Sequence, residues 1–74
     1  MPRIGELLGV VFYLYYSDHK PDHIHAFYQK HEALFTFDGN LLAGKLPDAK
    51  MKIARKFITD NQELILKASK QFKV

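Results

Sequence analysis

Apolar residues in the first half of the chain follow the pattern of β-strands. Residues 9–16 are mostly β-branched or aromatic, and both alternating sets of side chains are largely apolar, which is typical of a central strand. Residues 23–28 and 32–37 are two further strand segments, and the short gap between them predicts a hairpin. Residues 41–43 are expected to form a short strand or extended piece. From about residue 47 to residue 72 the apolar positions instead recur with helical spacing.

The helical segment has one apolar stripe and one interruption. Pro47 suits the first turn of a helix. The stripe consists of Ile53, Ala54, Phe57, Ile58, Leu64, Ile65, Ala68 and Phe72. Asn61 interrupts it, and Asp60 followed by Glu63 resembles a capping box. We therefore expect one bent helix or two helices that meet near Asp60.

These elements predict a single α+β domain over residues 1–74. Its sheet should have three or four mainly antiparallel strands between about residues 9 and 43. The C-terminal helix or bent helix pair, about residues 47–72, should pack on one face of that sheet. A chain this short buries only about 60% of its unfolded surface on folding, so a homodimer or a bound partner is a reasonable expectation.

The hairpin predicts which side chains share a face. A two-residue loop at Gln29-Lys30 would place Ile24, Ala26, Tyr28, Ala33, Phe35 and Phe37 on the face that the helix covers. It would place His23, His25, Phe27, Glu32, Leu34 and Thr36 on the opposite face. Gln-Lys is an unusual choice for a turn that needs positive φ.

Composition excludes several classes of protein. There is no cysteine, which rules out disulfides and thiolate metal sites and suits a reducing cytoplasm. No apolar run approaches the ~18 residues that cross a bilayer, and the first residues are too polar for a secretory signal. No glycine-rich phosphate loop or Ser–His–Asp order is present. The expected location is the cytoplasm, with no membrane partner.

Positive charge is concentrated in the C-terminal half. Residues 1–37 carry three basic and four acidic side chains, a sum of −1, whereas residues 38–74 carry eight and four, a sum of +4. Lys52, Arg55 and Lys56 share the helix face opposite the apolar stripe. They form either a solvated surface or a nucleic-acid-binding patch whose cations contact the phosphates of the backbone.

The most unusual stretch is residues 18–26, Asp-His-Lys-Pro-Asp-His-Ile-His-Ala. Three of the four histidines of the chain, His19, His23 and His25, lie within it. This stretch resembles the signature of a widespread family of small bacterial proteins, the domain of unknown function 4160, in which Asp-His-x-Pro-Pro-His-x-His-Ala follows an apolar strand with tyrosines. Gly-Lys-Leu-Pro at 44–47, before the helix, also fits that family.

The resemblance implies a genetic setting as well as a fold. Members resemble components of two-gene cassettes of toxin–antitoxin type, which implies a protein partner encoded nearby. Two departures from the family pattern stand out. Asp22 replaces the second proline, and Gln29-Lys30 replaces a glycine-rich hairpin turn.

One interpretation of the histidines is RNA cleavage. Histidine can act as acid or base near neutral pH, so His19, His23 and His25 are candidate catalytic residues on a scissile phosphate. Lys20 could stabilise the developing charge, with Asp18 and Asp22 as helpers. Tyrosines of the first strand could stack on bases.

Two other interpretations involve no cleavage of RNA. The same residues, His19, His23 and His25, could ligate a divalent metal such as Zn²⁺, and otherwise no cofactor is expected. Alternatively the histidines only fix the loop, and the exposed sheet face binds a partner protein or a second copy of the chain. Phe27 and Leu34 on that face favour a covered surface.

Overall fold

A computed structural model describes residues 3–15 and 23–72. In that part of the chain five strands precede two helices, in the order β1 (Arg3–Leu7), β2 (Val10–Tyr15), β3 (His23–Tyr28), β4 (His31–Phe35), β5 (Leu41–Lys45), α1 (Asp48–Asp60) and α2 (Gln62–Phe72). All neighbouring strands are antiparallel, and their order in the sheet is the order in the chain. The predicted α+β class is confirmed. Neither helix is long and apolar enough to span a membrane.

The sheet has five strands, one more than the upper estimate from the sequence. The strand that was missed is β1, because Ile4 and Leu7 are its only large apolar residues. Its charged residues form an exposed ion pair, Arg3 Nη2 to Glu6 Oε1 at 2.6 Å. Gly9 lies in the β1–β2 turn with φ +86°, so the predicted first strand begins one residue later, at Val10.

The β3–β4 hairpin has the predicted register. Ile24 pairs with Phe35, Ala26 with Ala33 and Tyr28 with His31. Gln29 adopts φ +53°, so the two-residue turn forms despite the absence of glycine. Burial alternates as the register requires over residues 23–27 and 32–35, where one face is buried and the other is partly or fully exposed. Next to the turn the core face opens, because Tyr28 is only partly buried and His31 is exposed.

The core lies between the sheet and the helices and is centred on an aromatic stack. Phe12 of β2 and Phe57 of α1 are parallel, with ring centroids 4.0 Å apart. The residues that pair with Phe12 on either side are small, Gly5 on β1 and Ala26 on β3. A Cβ at Gly5 would come within 2.8 Å of the Phe57 ring. Small residues on neighbouring strands thus leave room for the large rings.

The helical segment consists of two helices that meet at Asn61. This confirms the second of the two predicted arrangements, a pair of helices rather than one bent helix. The side chain of Asn61 donates to the carbonyl of Phe57 at 2.8 Å, and Gln62 donates to the carbonyl of Phe37 at 2.6 Å. The apolar stripe is buried as predicted at most described positions, but Leu64 is 44% exposed. Its assignment to the buried stripe was wrong; Ile65 and Ala68, at 0% and 8% exposed, continue the stripe on α2.

Strand structure was predicted to end before residues 44–47, but it continues through Lys45. Gly44 and Lys45 belong to β5, which pairs Gly44 with Ala33 and Lys45 with Glu32. Gly44 has φ +73°, and a Cβ there would overlap the carbonyl oxygen of Glu32. Glycine is therefore needed for the close approach of β4 and β5 rather than for ending the strand.

Candidate functional site

One face of the sheet carries no helix in the described part of the chain. We call it the open face and define it by the partly or fully exposed side chains that alternate with the core residues of the three central strands. They are Val11, Tyr13, His23, His25, Phe27, Glu32 and Leu34. The strand period of two places them together, as the hairpin register predicted for the members on β3 and β4.

His25 is held by a carboxylate on the adjacent strand. Its Nδ1 lies 2.7 Å from Oε2 of Glu32, although the two residues are seven apart in the chain. An ionised carboxylate can only accept, so Nδ1 carries a hydrogen and donates it. The side chain is 13% exposed, and its Nε2 atom is buried. The imidazole is therefore fixed in orientation by β4 as well as by its own strand.

His23 stands beside His25. Their ring centroids are 4.9 Å apart with the planes tilted by 33°. The prediction that both rings share one face of β3 is confirmed. The other residues assigned to the histidine site, Asp18, His19, Lys20 and Asp22, lie outside the described residues, and their roles stay predictions.

An aromatic group extends the open face from the histidines towards the hairpin turns. Phe27 stacks beside His25 with centroids 6.0 Å apart, and Tyr13 meets Phe27 edge-on at 5.5 Å. Tyr13 and Phe27 line a shallow groove of about 390 Å³ with Val11, Gly9 and Gln29. We call this the aromatic groove. The aromatic groove was not predicted from the sequence, because it lies between the turn at Gly9 and the turn at Gln29, which are far apart in the chain.

The charged side chains of the open face and of the edge strand β1 are paired within the protein. Glu32 is hydrogen-bonded to His25, and on the adjoining edge strand Arg3 forms an ion pair with Glu6. The residues predicted to bind nucleic acid, Lys52, Arg55 and Lys56, are exposed on α1, which packs on the other side of the sheet. The structure therefore does not bring the basic residues and the histidines together. Lys56 also forms an ion pair with Asp60 at 2.9 Å.

Comparison with known families identifies the chain. The model of the family described as Domain of unknown function (DUF4160) matches residues 9–68, well over half of the sequence. The chain belongs to this family. The match confirms the resemblance carried by the histidine signature. No curated protein and no solved structure matches this DUF4160 domain.

Among the residues that the structure describes, the histidines of this DUF4160 domain form no metal site. Within residues 3–15 and 23–72, no group of three or more histidines and carboxylates is arranged to hold a metal ion. The proposed metal set included His19, which lies outside these ranges. The described geometry supplies two neighbouring imidazoles and a carboxylate that is already engaged by one of them.

Removing Glu32 should change the protonation pattern of His25. In the wild type we expect long-range ¹H–¹⁵N NMR spectra at neutral pH to show Nδ1 of His25 protonated, because it donates to the carboxylate. Glu32→Ala removes that acceptor and should abolish the pattern. Glu6→Ala, which removes an exposed carboxylate bonded to Arg3, is the matched control and should leave it intact. Identical nitrogen signals in wild type and Glu32→Ala would contradict the assignment.

Proposed function

We propose that this DUF4160 domain is a non-catalytic partner-binding module, an antitoxin or adaptor, in a two-protein system of toxin–antitoxin type. The open face is the surface that binds the second protein. The observation that carries the proposal is the group of aromatic and aliphatic side chains on a sheet face that the described chain leaves uncovered. The two-protein setting itself is supported only by the family resemblance.

Shape and chemistry of the open face support a protein ligand. Val11, Tyr13, Phe27 and Leu34 are partly exposed and lie on three adjacent strands. Interface cores are rich in aromatic side chains and poor in charge, whereas the rim is polar. The aromatic groove could accept one apolar or aromatic side chain of a partner, which is how binding energy concentrates in a few residues.

The histidines are ordered side chains that hold neighbouring residues of the binding surface in place. His25 is fixed by Glu32 and lies against both Phe27 and His23. Side chains that are already ordered lose less conformational entropy when a partner binds. In this role the histidines hold the aromatic residues in place, and no proton transfer is required of them.

Electrostatics disfavour RNA as the ligand of the open face. Binding a polyanion requires an excess of positive charge on the contact surface. The charged residues there and on the adjoining edge of β1 are paired within the protein, and the cations in no ion pair include Lys45 at the end of β5 and Lys52 and Arg55 on α1, across the sheet. A protein partner needs no such excess.

The experiment presents the purified domain with both kinds of ligand. We expect it to capture the protein encoded beside its gene, and to leave a single-stranded RNA intact at the same concentration. The His23→Ala/His25→Ala variant should likewise leave RNA intact. RNA cleavage by the wild type that this variant loses would overturn the proposal, as would failure to bind the neighbouring protein.

A specific observation favours RNA cleavage as the second candidate. His23 and His25 are adjacent, and His25 is oriented by a carboxylate, as catalytic histidines often are. One histidine would take the proton of the 2′-hydroxyl while the other protonates the leaving oxygen. This function ranks second because the exposure of His25 is low and its Nε2 atom is buried, which limits access to a substrate.

A further inference from the structure

A second surface lies at one edge of the sheet, between the edge strand β5 and helix α1. We call it the β5 cleft; its volume is about 460 Å³. Its charged lining residues are Lys45, Asp48, Lys52 and Arg55, and its apolar ones include Leu41 and Met51. It shares no lining residue with the aromatic groove, and its role is independent of the function proposed above.

Strand β5 is open to pairing. It is the last strand of the sheet, so one of its two edges has no neighbouring strand in the described part of the chain. All five of its residues are exposed, including Leu41 at 41% and Leu42 at 45%. Edge strands are usually protected by charge, proline or cover, because their free backbone groups can accept another strand. On β5 the only charge is Lys45, at its end.

The β5 cleft carries an excess of positive charge. Its lining includes three cations, Lys45, Lys52 and Arg55, and one carboxylate, that of Asp48. Among the described residues these three cations take part in no ion pair, in contrast to Lys56, which is held by Asp60. The carboxylate of Glu32, which pairs across the ladder with Lys45, is bonded to His25. The cleft therefore offers about two unbalanced positive charges beside a free strand edge.

We propose that the β5 cleft binds an extended acidic segment of a partner protein. The segment adds a sixth strand to the outer edge of β5, and its carboxylates meet Lys45, Lys52 and Arg55. Strand addition supplies backbone hydrogen bonds, while alternate side chains supply specificity. Leu41 and Met51 contact the apolar side chains that alternate with the acidic ones.

Charge and chemistry favour this occupant over two others. A second copy paired through β5 would bring two sets of cations together, which costs electrostatic energy. Single-stranded RNA would match the charge, but binding of its bases relies on aromatic platforms, and no lining residue of the cleft is aromatic. RNA also makes no use of an open strand edge or of exposed leucines.

The test is fluorescence anisotropy with short labelled probes on the full chain. We expect a peptide of alternating valine and glutamate to bind, and a peptide of alternating valine and lysine not to bind. Lys52→Glu/Arg55→Glu should weaken binding about tenfold or more, since two favourable charge contacts become unfavourable. Lys67→Glu/Lys70→Glu, on exposed positions of α2, makes the same change in net charge and should have little effect.

Hydrogen exchange separates strand addition from simple charge attraction. Binding of the acidic peptide should slow exchange of β5 backbone amides, because the new strand occupies their free edge. Unchanged β5 exchange on binding would overturn the proposal. So would equal losses in both charge variants, no binding of the acidic peptide, binding of oligouridine with the same dependence on Lys52 and Arg55, or self-association of the free chain through β5.

Discussion

Phe12→Ala is expected to lower the free energy of unfolding by about 3–5 kcal/mol, the usual range for a buried phenylalanine. Phe12 is 0% exposed and stacks on Phe57 at 4.0 Å. Its neighbours Gly5 and Ala26 are too small to fill the cavity that the substitution leaves. A domain of this size has a total stability of roughly 4–11 kcal/mol, so much of it would be lost. Urea denaturation followed by circular dichroism measures the loss.

Phe27→Ala is the matched control for Phe12→Ala. Phe27 lies on the adjacent strand but on the open face, where it is partly exposed. Its removal leaves no enclosed cavity, so the stability loss should be clearly smaller. Similar losses for the two variants would mean that both faces of the sheet are equally buried, which contradicts an open face.

Phe27→Lys is expected to weaken binding of the proposed partner, the protein encoded beside this gene, by about 100-fold or more while the domain stays folded. Phe27 lies at the centre of the open face, between Tyr13 and His25. A lysine there removes an aromatic contact and places an unpaired charge in a desolvated interface, a combination that costs several kcal/mol. Isothermal titration calorimetry gives the affinity, and thermal unfolding checks that the variant is folded.

Leu66→Lys controls for the added charge. Leu66 is 48% exposed on α2, away from the open face, so the same change from apolar to cationic should leave affinity close to that of the wild type. If Leu66→Lys weakens binding as much as Phe27→Lys does, the partner does not use the open face specifically.

Local patterns were enough to predict the central hairpin. Strand side chains alternate strictly, so a two-residue turn at Gln29-Lys30 determined that His25 pairs with Leu34 and that Phe27 pairs with Glu32. The shared face of His23 and His25 followed from the same alternation. The family signature then identified the segment as unusual, although it did not say what the histidines contact.

Three other features could not be predicted from these patterns. Strand β1 carries Arg3, Gly5 and Glu6 among five residues, and only its pairing with β2 makes it a strand. The hydrogen bond between His25 and Glu32 was not predicted either. The sequence placed both side chains on one face of the sheet, but the pattern does not say how far apart they are. The exposure of Leu64 was not predicted, because its spacing of seven residues from Phe57 is that of a second core position.

The most direct measurement of the central claim is amide chemical-shift mapping of the ¹⁵N-labelled domain as the protein encoded beside it is added. Our account predicts that the largest changes fall on the open face, at Tyr13, His25, Phe27 and Leu34, with little change in α1 and α2. Changes concentrated in the helices, with the amides of β2 and β3 unaffected, would contradict it.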